Sequence, residues 1–190
     1  HASSAPCLAS FGWSNRELIL RTASIHSMTP QRFDEITARY PKLRLALAGD
    51  FREQAARAYT NLATRAVDTH DFRAAKPYLE AGIAFCEQHD LDSWRRYMTT
   101  VRARAALDRG DWKDAEIDAE AVVRHPRTAP ISKIPALFTL GLLRARRGEP
   151  GADELLDEAY ALAKPTGELQ RIGLIVIAMA ESAWLQGRLE

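Results

Sequence analysis

At 190 residues the chain is long enough for one domain with a sizeable core, or for four or five units of a longer repeat array. Its 26 basic and 25 acidic side chains leave a net charge of +1, which removes any bulk electrostatic case for direct nucleic-acid or anionic-membrane binding. Two cysteines, Cys7 and Cys86, lie far apart and form no disulfide framework, which fits a reducing, cytoplasmic compartment.

In chain order, residues 1–13 read as a disordered leader or cloning remnant, because His1 to Ser10 has neither a basic start nor a signal-length apolar run. Residues 14–190 read as one helical-repeat domain with units at about 14–48, 50–89, 91–125 and 130–164 and a partial unit at 166–190. The pattern Ser14-Asn15-Arg16-Glu17 is a capping box, and Thr29-Pro30 gives an N-cap followed by proline in the first turn, so a first helix pair is expected at about 15–28 and 30–48. Asp50 as N-cap with Glu53 in the third helical position opens the next pair, at 51–68 and 71–88. Further pairs follow at 92–108 with 111–124 and at 132–147 with 150–164, and a last helix at 167–186 ends on Gly187. That makes nine helices in all. Pro126, Pro130 and Pro165 fall in connections, whereas Pro41 and Pro77 fall inside helices and predict kinks. The most apolar run, Ile172 to Ala180, is nine residues, and crossing a bilayer takes about 20. No segment alternates with period two, so no sheet is expected.

A phrase of turn, aromatic, two polar residues and a small one recurs as Gln31-Arg32-Phe33-Asp34-Glu35-Ile36, His70-Asp71-Phe72-Arg73-Ala74-Ala75 and Gly110-Asp111-Trp112-Lys113-Asp114-Ala115. The aromatics are 39 and 40 residues apart, and Gly148 and Gly187 keep the beat at 38 and 39. Such an interval predicts an all-α, right-handed superhelical solenoid of antiparallel helix pairs, each unit burying its apolar face against the next. Small residues (Ala63, Ala66, Ala75, Gly82, Ala103, Ala106, Ala115, Gly141, Ala152, Ala159) mark where helices of a pair approach closely.

Tyr59, Leu62, Ala63, Asp71, Phe72, Ala75, Leu79 and Gly82 resemble the tetratricopeptide-repeat signature, with units longer than that family's 34 residues and departures at Arg102, Arg144 and Pro150. A second resemblance spans Ala55 to Gly187. It is carried by Ala58-Tyr59-Thr60-Asn61-Leu62-Ala63, Asp90-Leu91-Asp92-Ser93-Trp94, Arg124-His125-Pro126-Arg127-Thr128, the stretch Pro130 to Leu137, Arg144-Ala145-Arg146-Arg147-Gly148 and the stretch Pro165 to Arg171. These segments resemble the helical-repeat region of ATPase-containing, LuxR-type bacterial transcription regulators of MalT-like layout. That resemblance implies a sensor or interaction role in regulation. The sequence has neither the GxxxxGK[ST] phosphate loop nor a helix-turn-helix of those regulators.

Candidate chemistry is sparse. The carboxylate pairs Asp114/Asp118, Asp153/Asp157 and Glu154/Glu158 have the spacing of a solvated helix face, and a hydrolase built on them is the weaker reading. Ser132 and His125 have no third group to complete a nucleophilic set. No CxxC or HExxH spacing occurs, so no metal, cofactor or catalytic residue is expected. The 21 arginines, against 5 lysines, are spread among acids and do not form a phosphate patch. Trp112 and Trp184 are assigned to core packing and Trp94 to the surface. In tetratricopeptide-like stacks the first helix of each pair lines the concave wall, which there places Arg57, Thr60, Asn61, Thr64, Tyr97, Thr100, Arg104, Phe138, Thr139, Leu142 and Glu181. The mix suits an extended peptide or a small polar effector, and equally the solvated wall of a spacer. The last helix is apolar nearly all round, from Ile172 to Met179, which predicts uncovered surface and self-association through that end. A free-standing adaptor unconnected to transcription is the alternative function.

Overall fold

The computed structural model describes residues 51–188. The leader, the first predicted helix pair with its caps, the Pro41 kink and Cys7 lie outside the described residues, as do Leu189 and Glu190. Within them the chain is all-helical with no strand: α1 (Arg52–Asp68), α2 (Phe72–Gln88), α3 (Asp92–Arg109), α4 (Trp112–Arg124), α5 (Pro130–Arg147), α6 (Ala152–Ala163), one 3-10 turn (Lys164–Thr166) and α7 (Leu169–Leu185). Each of the seven expected helices in this span has a counterpart.

The recurring phrase has a backbone cause. His70, Asp90, Gly110, Gly148 and Gly187 all hold positive φ, between 55° and 85°. After each, the next N–H reaches back to a carbonyl five residues earlier, as Asp71 to Ala66 (2.8 Å), Leu91 to Cys86 (2.8 Å), Asp111 to Ala106 (2.8 Å), Glu149 to Arg144 (2.9 Å) and Arg188 to Ala183 (2.8 Å). This left-handed cap satisfies carbonyls at the helix end and turns the chain sharply into the next element. Glycine takes that conformation freely, and the same turn is built from His70 and Asp90 at some cost in backbone strain. Asp71 then caps α2 by accepting from Ala74 N–H at 3.0 Å, whereas Asp111, at the equivalent place, makes no side-chain cap because its carboxylate pairs with Arg109 at 2.7 Å.

Several boundary expectations are corrected. α1 starts at Arg52 with Phe51 in the N-cap position and no side-chain cap bond, so Glu53 sits one place earlier than a capping box requires. Pro77 lies inside α2, as expected, where it is buried and the helix continues past it. Pro130 is not in a connection but begins α5, where its fixed φ and lost donor are free of cost. Pro135 also lies within α5. Pro165 is inside the 3-10 turn that joins α6 to α7.

Consecutive helices pack on one another, and α1, α3, α5 and α7 also touch in series, which puts the odd-numbered helices in one layer and the even-numbered ones in another. Cores form between the layers. Tyr59, Val67, Leu79, Phe85, Cys86 and Met98 join α1, α2 and α3; Leu107, Ile134, Leu137, Leu143, Leu156 and Ile175 join α3, α5, α6 and α7. All ten small residues singled out from the sequence are buried. Gly141 lies against Leu156, and a Cβ there would stand 2.7 Å from Leu156 Cγ. Trp112 is only half-buried, with the Arg147 guanidinium 5.9 Å from its ring centroid. Trp184 is 65% exposed, so its assignment to the core fails: α7 turns that side away from α5 and α6. The same helix buries Ile175 (1% exposed) but leaves Ile177 at 65%.

Candidate functional site

The side chains of α1, α3, α5 and α7 enclose two adjoining hollows on one side of the helical layers. An inner cavity of about 280 Å3 has Val67, Val101, Ile134, Phe138, Leu174 and Ile175 as its apolar walls and Thr64, Asp68, Tyr97, Thr100, Arg104, Gln170 and Arg171 as polar ones. An open trough of about 1150 Å3 adjoins it, sharing Thr64, Asp68, Tyr97, Gln170 and Arg171 and adding Glu53, Arg57, Thr60, Asn61, Trp94 and Ser132. Apart from Thr69, Asp90 and Leu91 at helix junctions, every lining residue comes from an odd-numbered helix. α2, α4 and α6 contribute none.

The polar groups are held in defined places. Along α1, Thr60, Asn61, Thr64, Val67 and Asp68 share a face by their spacing of three and four. Thr60 and Thr100 are buried and donate their hydroxyl protons within their own helices, to Ala56 O at 2.8 Å and Tyr97 O at 2.7 Å, so only their oxygens are left for a guest. The Thr64 hydroxyl is buried and has no hydrogen-bond partner among the described residues. At the trough, Arg57 lies with its guanidinium carbon 5.8 Å from the Trp94 ring centroid, and Trp94 Nε1 donates to Glu53 Oε2 at 3.5 Å. Asn61 is exposed.

Deeper in, Arg104 donates from Nε to Asp108 at 3.2 Å, reaches Asp68 at 4.0 Å and stands 5.4 Å from the Phe138 ring centroid. Arg171, on the first turn of α7, donates from Nε to Glu168 Oε2. That hydrogen bond holds the Glu168 carboxyl below its ordinary range, in spite of partial desolvation. Burial pushes the Tyr97 phenol upward, and the nearby Arg171 cation partly opposes the shift. Tyr97 is therefore a neutral hydroxyl at physiological pH.

Eight of the eleven residues predicted for this wall are thus brought together: Arg57, Thr60, Asn61, Thr64, Tyr97, Thr100, Arg104 and Phe138. Thr139 is not among them. It is fully buried and donates to Pro135 O at 2.8 Å, because the step from Phe138 to Thr139 rotates the side chain by 100° into the helix contacts. Leu142 is buried as well and lines neither hollow. Glu181 lies outside too, accepting from Arg146 Nε at 2.7 Å across α5 and α7. α7 presents its first turns to the cavity, through Gln170, Arg171, Leu174 and Ile175. Those residues, with Asp68 and Val67, were missed. The available signal was a polar start, Glu168-Leu169-Gln170-Arg171, on an otherwise apolar helix.

In each carboxylate pair considered for acid–base work, one member is engaged elsewhere. Asp118 accepts a bidentate pair from Arg102 at 2.7 and 2.8 Å, Asp153 accepts from Ser182 at 2.9 Å and Arg188 at 2.6 Å, and Glu158 accepts from Lys133 at 2.6 Å. Ser132 lines the trough, while His125 Nδ1 accepts from Arg127 N–H at 3.2 Å. Among the described residues no cluster of three His, Cys, Asp or Glu has a metal-binding arrangement, and no helix is long and apolar enough to cross a membrane. Set against protein-family models, curated proteins and solved structures, the chain finds no match.

Proposed function

We propose that the chain is a non-enzymatic, tetratricopeptide-like solenoid that binds a protein segment or small effector along the trough, as the sensor or interaction part of a cytoplasmic bacterial transcription regulator of LuxR type. One observation carries the binding reading: the inner cavity and trough are lined by all four odd-numbered helices and by none of the even-numbered ones. A wall assembled from successive units is how a helical repeat presents an extended binding surface. The regulatory part of the reading rests on the resemblance of the segments from Ala55 to Gly187.

Native mass spectrometry of the chain purified from its own host tests the binding reading, since it retains either a peptide or a small guest. A bound species lost in Arg57→Ala/Asn61→Ala, with helicity unchanged, is the expected result; a species retained by that variant places the site elsewhere. The complete coding sequence tests the regulatory part: a phosphate-loop ATPase upstream or a helix-turn-helix downstream supports it, and the absence of both favours the adaptor. Reproducible ester or phosphoester turnover, abolished by Asp114→Asn or Asp118→Asn, overturns the non-enzymatic reading. The exposed Ile177 and Trp184 on α7 support self-association. A sedimentation coefficient that does not rise with concentration contradicts it.

A further inference from the structure

The inner cavity combines two environments within about 280 Å3, a volume just below the usual range of small-molecule sites. Val67, Val101, Phe138, Leu174 and Ile175 give it an apolar body that a short hydrocarbon or aromatic tail would fill. On its polar side stand Arg171 and Thr64, and both have capacity that the fold does not use. The Arg171 side chain spends its Nε on Glu168 and makes no other hydrogen bond with the described residues, so the Nη donors of its guanidinium fork remain available. The Thr64 hydroxyl is shut off from solvent with no hydrogen-bond partner among the described residues, a state that costs free energy and that a guest in the cavity relieves once a turn about χ1 brings the hydroxyl to it.

We propose that this cavity binds the carboxylate of a small amphipathic monoanion, with the Arg171 fork and the Thr64 hydroxyl on the acid head and the apolar wall around the tail. The inference rests on the binding reading above and names its ligand class. A carboxylate offers about four lone-pair sites on two oxygens in one plane, which matches a fork of parallel N–H donors plus one hydroxyl donor. Tyr97 and Arg104, on α3, stand on the same wall as further donors. The acidic groups nearby set the charge of the guest. Asp68 lines the cavity with Arg104 and Arg171, which leaves the lining one net positive charge, and Asp108 and Glu168 hold the two arginines from beside it. A dianion such as a phosphate monoester meets repulsion there that a single charge largely escapes. The acid has two sources of identical chemistry, a free organic acid or the C-terminus of a peptide whose remaining residues lie in the trough.

The test uses the full chain and four probes: 3-phenylpropionate, 3-phenylpropionamide, and N-acetyl-Gly-Gly-Phe as free acid and as C-terminal amide. Titration is followed by calorimetry and by the chemical shifts of Tyr97 and of the Arg171 side-chain Nε–H. At least one acid is expected to bind about tenfold or more tightly than its amide, the scale of a charge-assisted bidentate contact. Arg171→Gln should remove that preference by weakening the acid far more than the amide. A tighter peptide acid assigns the source to a C-terminus; a tighter phenylpropionate assigns it to a free acid. The wild-type acid-to-amide ratio decides the matter even if Arg171→Gln fails to fold. Equal binding of acid and amide with shifts at the trough overturns the carboxylate assignment but keeps the binding reading. Failure of all four probes to bind overturns the assignment, and the bound-species measurement on Arg57→Ala/Asn61→Ala then judges the binding reading separately.

Discussion

Replacing Gly82 by alanine puts a methyl group where three helices meet. An ideal Cβ at that position collides with Met98 Cε and stands 2.8 Å from both Met98 Sδ and Tyr59 Cβ. Met98 is flexible but fully buried, and Tyr59 Cβ is fixed to the backbone of α1, so the clash is relieved only by moving α1 or α3 away from α2. Overpacking of that kind costs about 1–3 kcal/mol. Alanine also favours a helix interior over glycine by about 1 kcal/mol, which offsets part of the loss. The net expectation is a loss of about 0–2 kcal/mol. Gly173 supplies the control, because it lies in α7 with nothing within 4 Å of a Cβ. Gly173→Ala should stabilise the protein by about 0.5–1 kcal/mol through the same helix term without the clash. Urea melts of both variants, compared at unchanged slope, read the difference. If Gly82→Ala is as stable as Gly173→Ala, the close approach of α1, α2 and α3 is wrong.

Trp112→Ala should cost about 2–3 kcal/mol, below the 3–5 kcal/mol typical of a fully buried aromatic, because the ring is half-exposed and capped by Arg147; Trp184→Ser, at 65% exposure, should stay within about 0.5 kcal/mol. Denaturant midpoints of the two variants check the ranking, and a larger loss at Trp184 contradicts the placement of α7. Cys86 is fully buried and desolvation pushes its thiol up to about 12, so peptide-resolved iodoacetamide labelling at pH 8 should leave it unmodified in the native chain and modify it in urea. Glu168 has its carboxyl lowered by the Arg171 hydrogen bond, so its contribution to stability is present above the ordinary carboxylate value and lost as pH falls through the lowered one. A side-chain NMR titration of Glu168 should show a midpoint below the ordinary glutamate value in wild type and a return toward that value in Arg171→Gln.

The helices were legible because the turn that ends them is chemically marked. Gly110, Gly148 and Gly187 permit the left-handed conformation, and Asp71 and Asp111 follow it at helix starts, so period and boundaries are written in the same residues. Pro130 was placed in a connection because proline marks both loops and first turns, and only the extended Ala129 before it separates the two. Trp184 was misassigned because an aromatic on an apolar helix does not state which side its neighbours cover. The cavity was partly legible: alignment on the recurring turn, with the concave wall that the tetratricopeptide resemblance implies, placed Asn61, Thr64, Tyr97 and Arg104 on one wall. It failed where one residue of rotation decides the face, as at Thr139, and where the 3-10 turn before α7 sets a register that alignment on turns does not capture, as at Glu181 and Arg171.

The central claim is that the side formed by the odd-numbered helices is the binding side. Chemical-shift mapping of the isotope-labelled chain against a mixed panel of organic acids, sugars and short peptides tests it most directly. The account predicts shifts that cluster at Arg57, Asn61, the Trp94 indole, Tyr97 and Arg171, on three helices (α1, α3 and α7) that are not consecutive in sequence. Shifts confined to α2, α4 and α6, or no shifts with any class of probe, would contradict it.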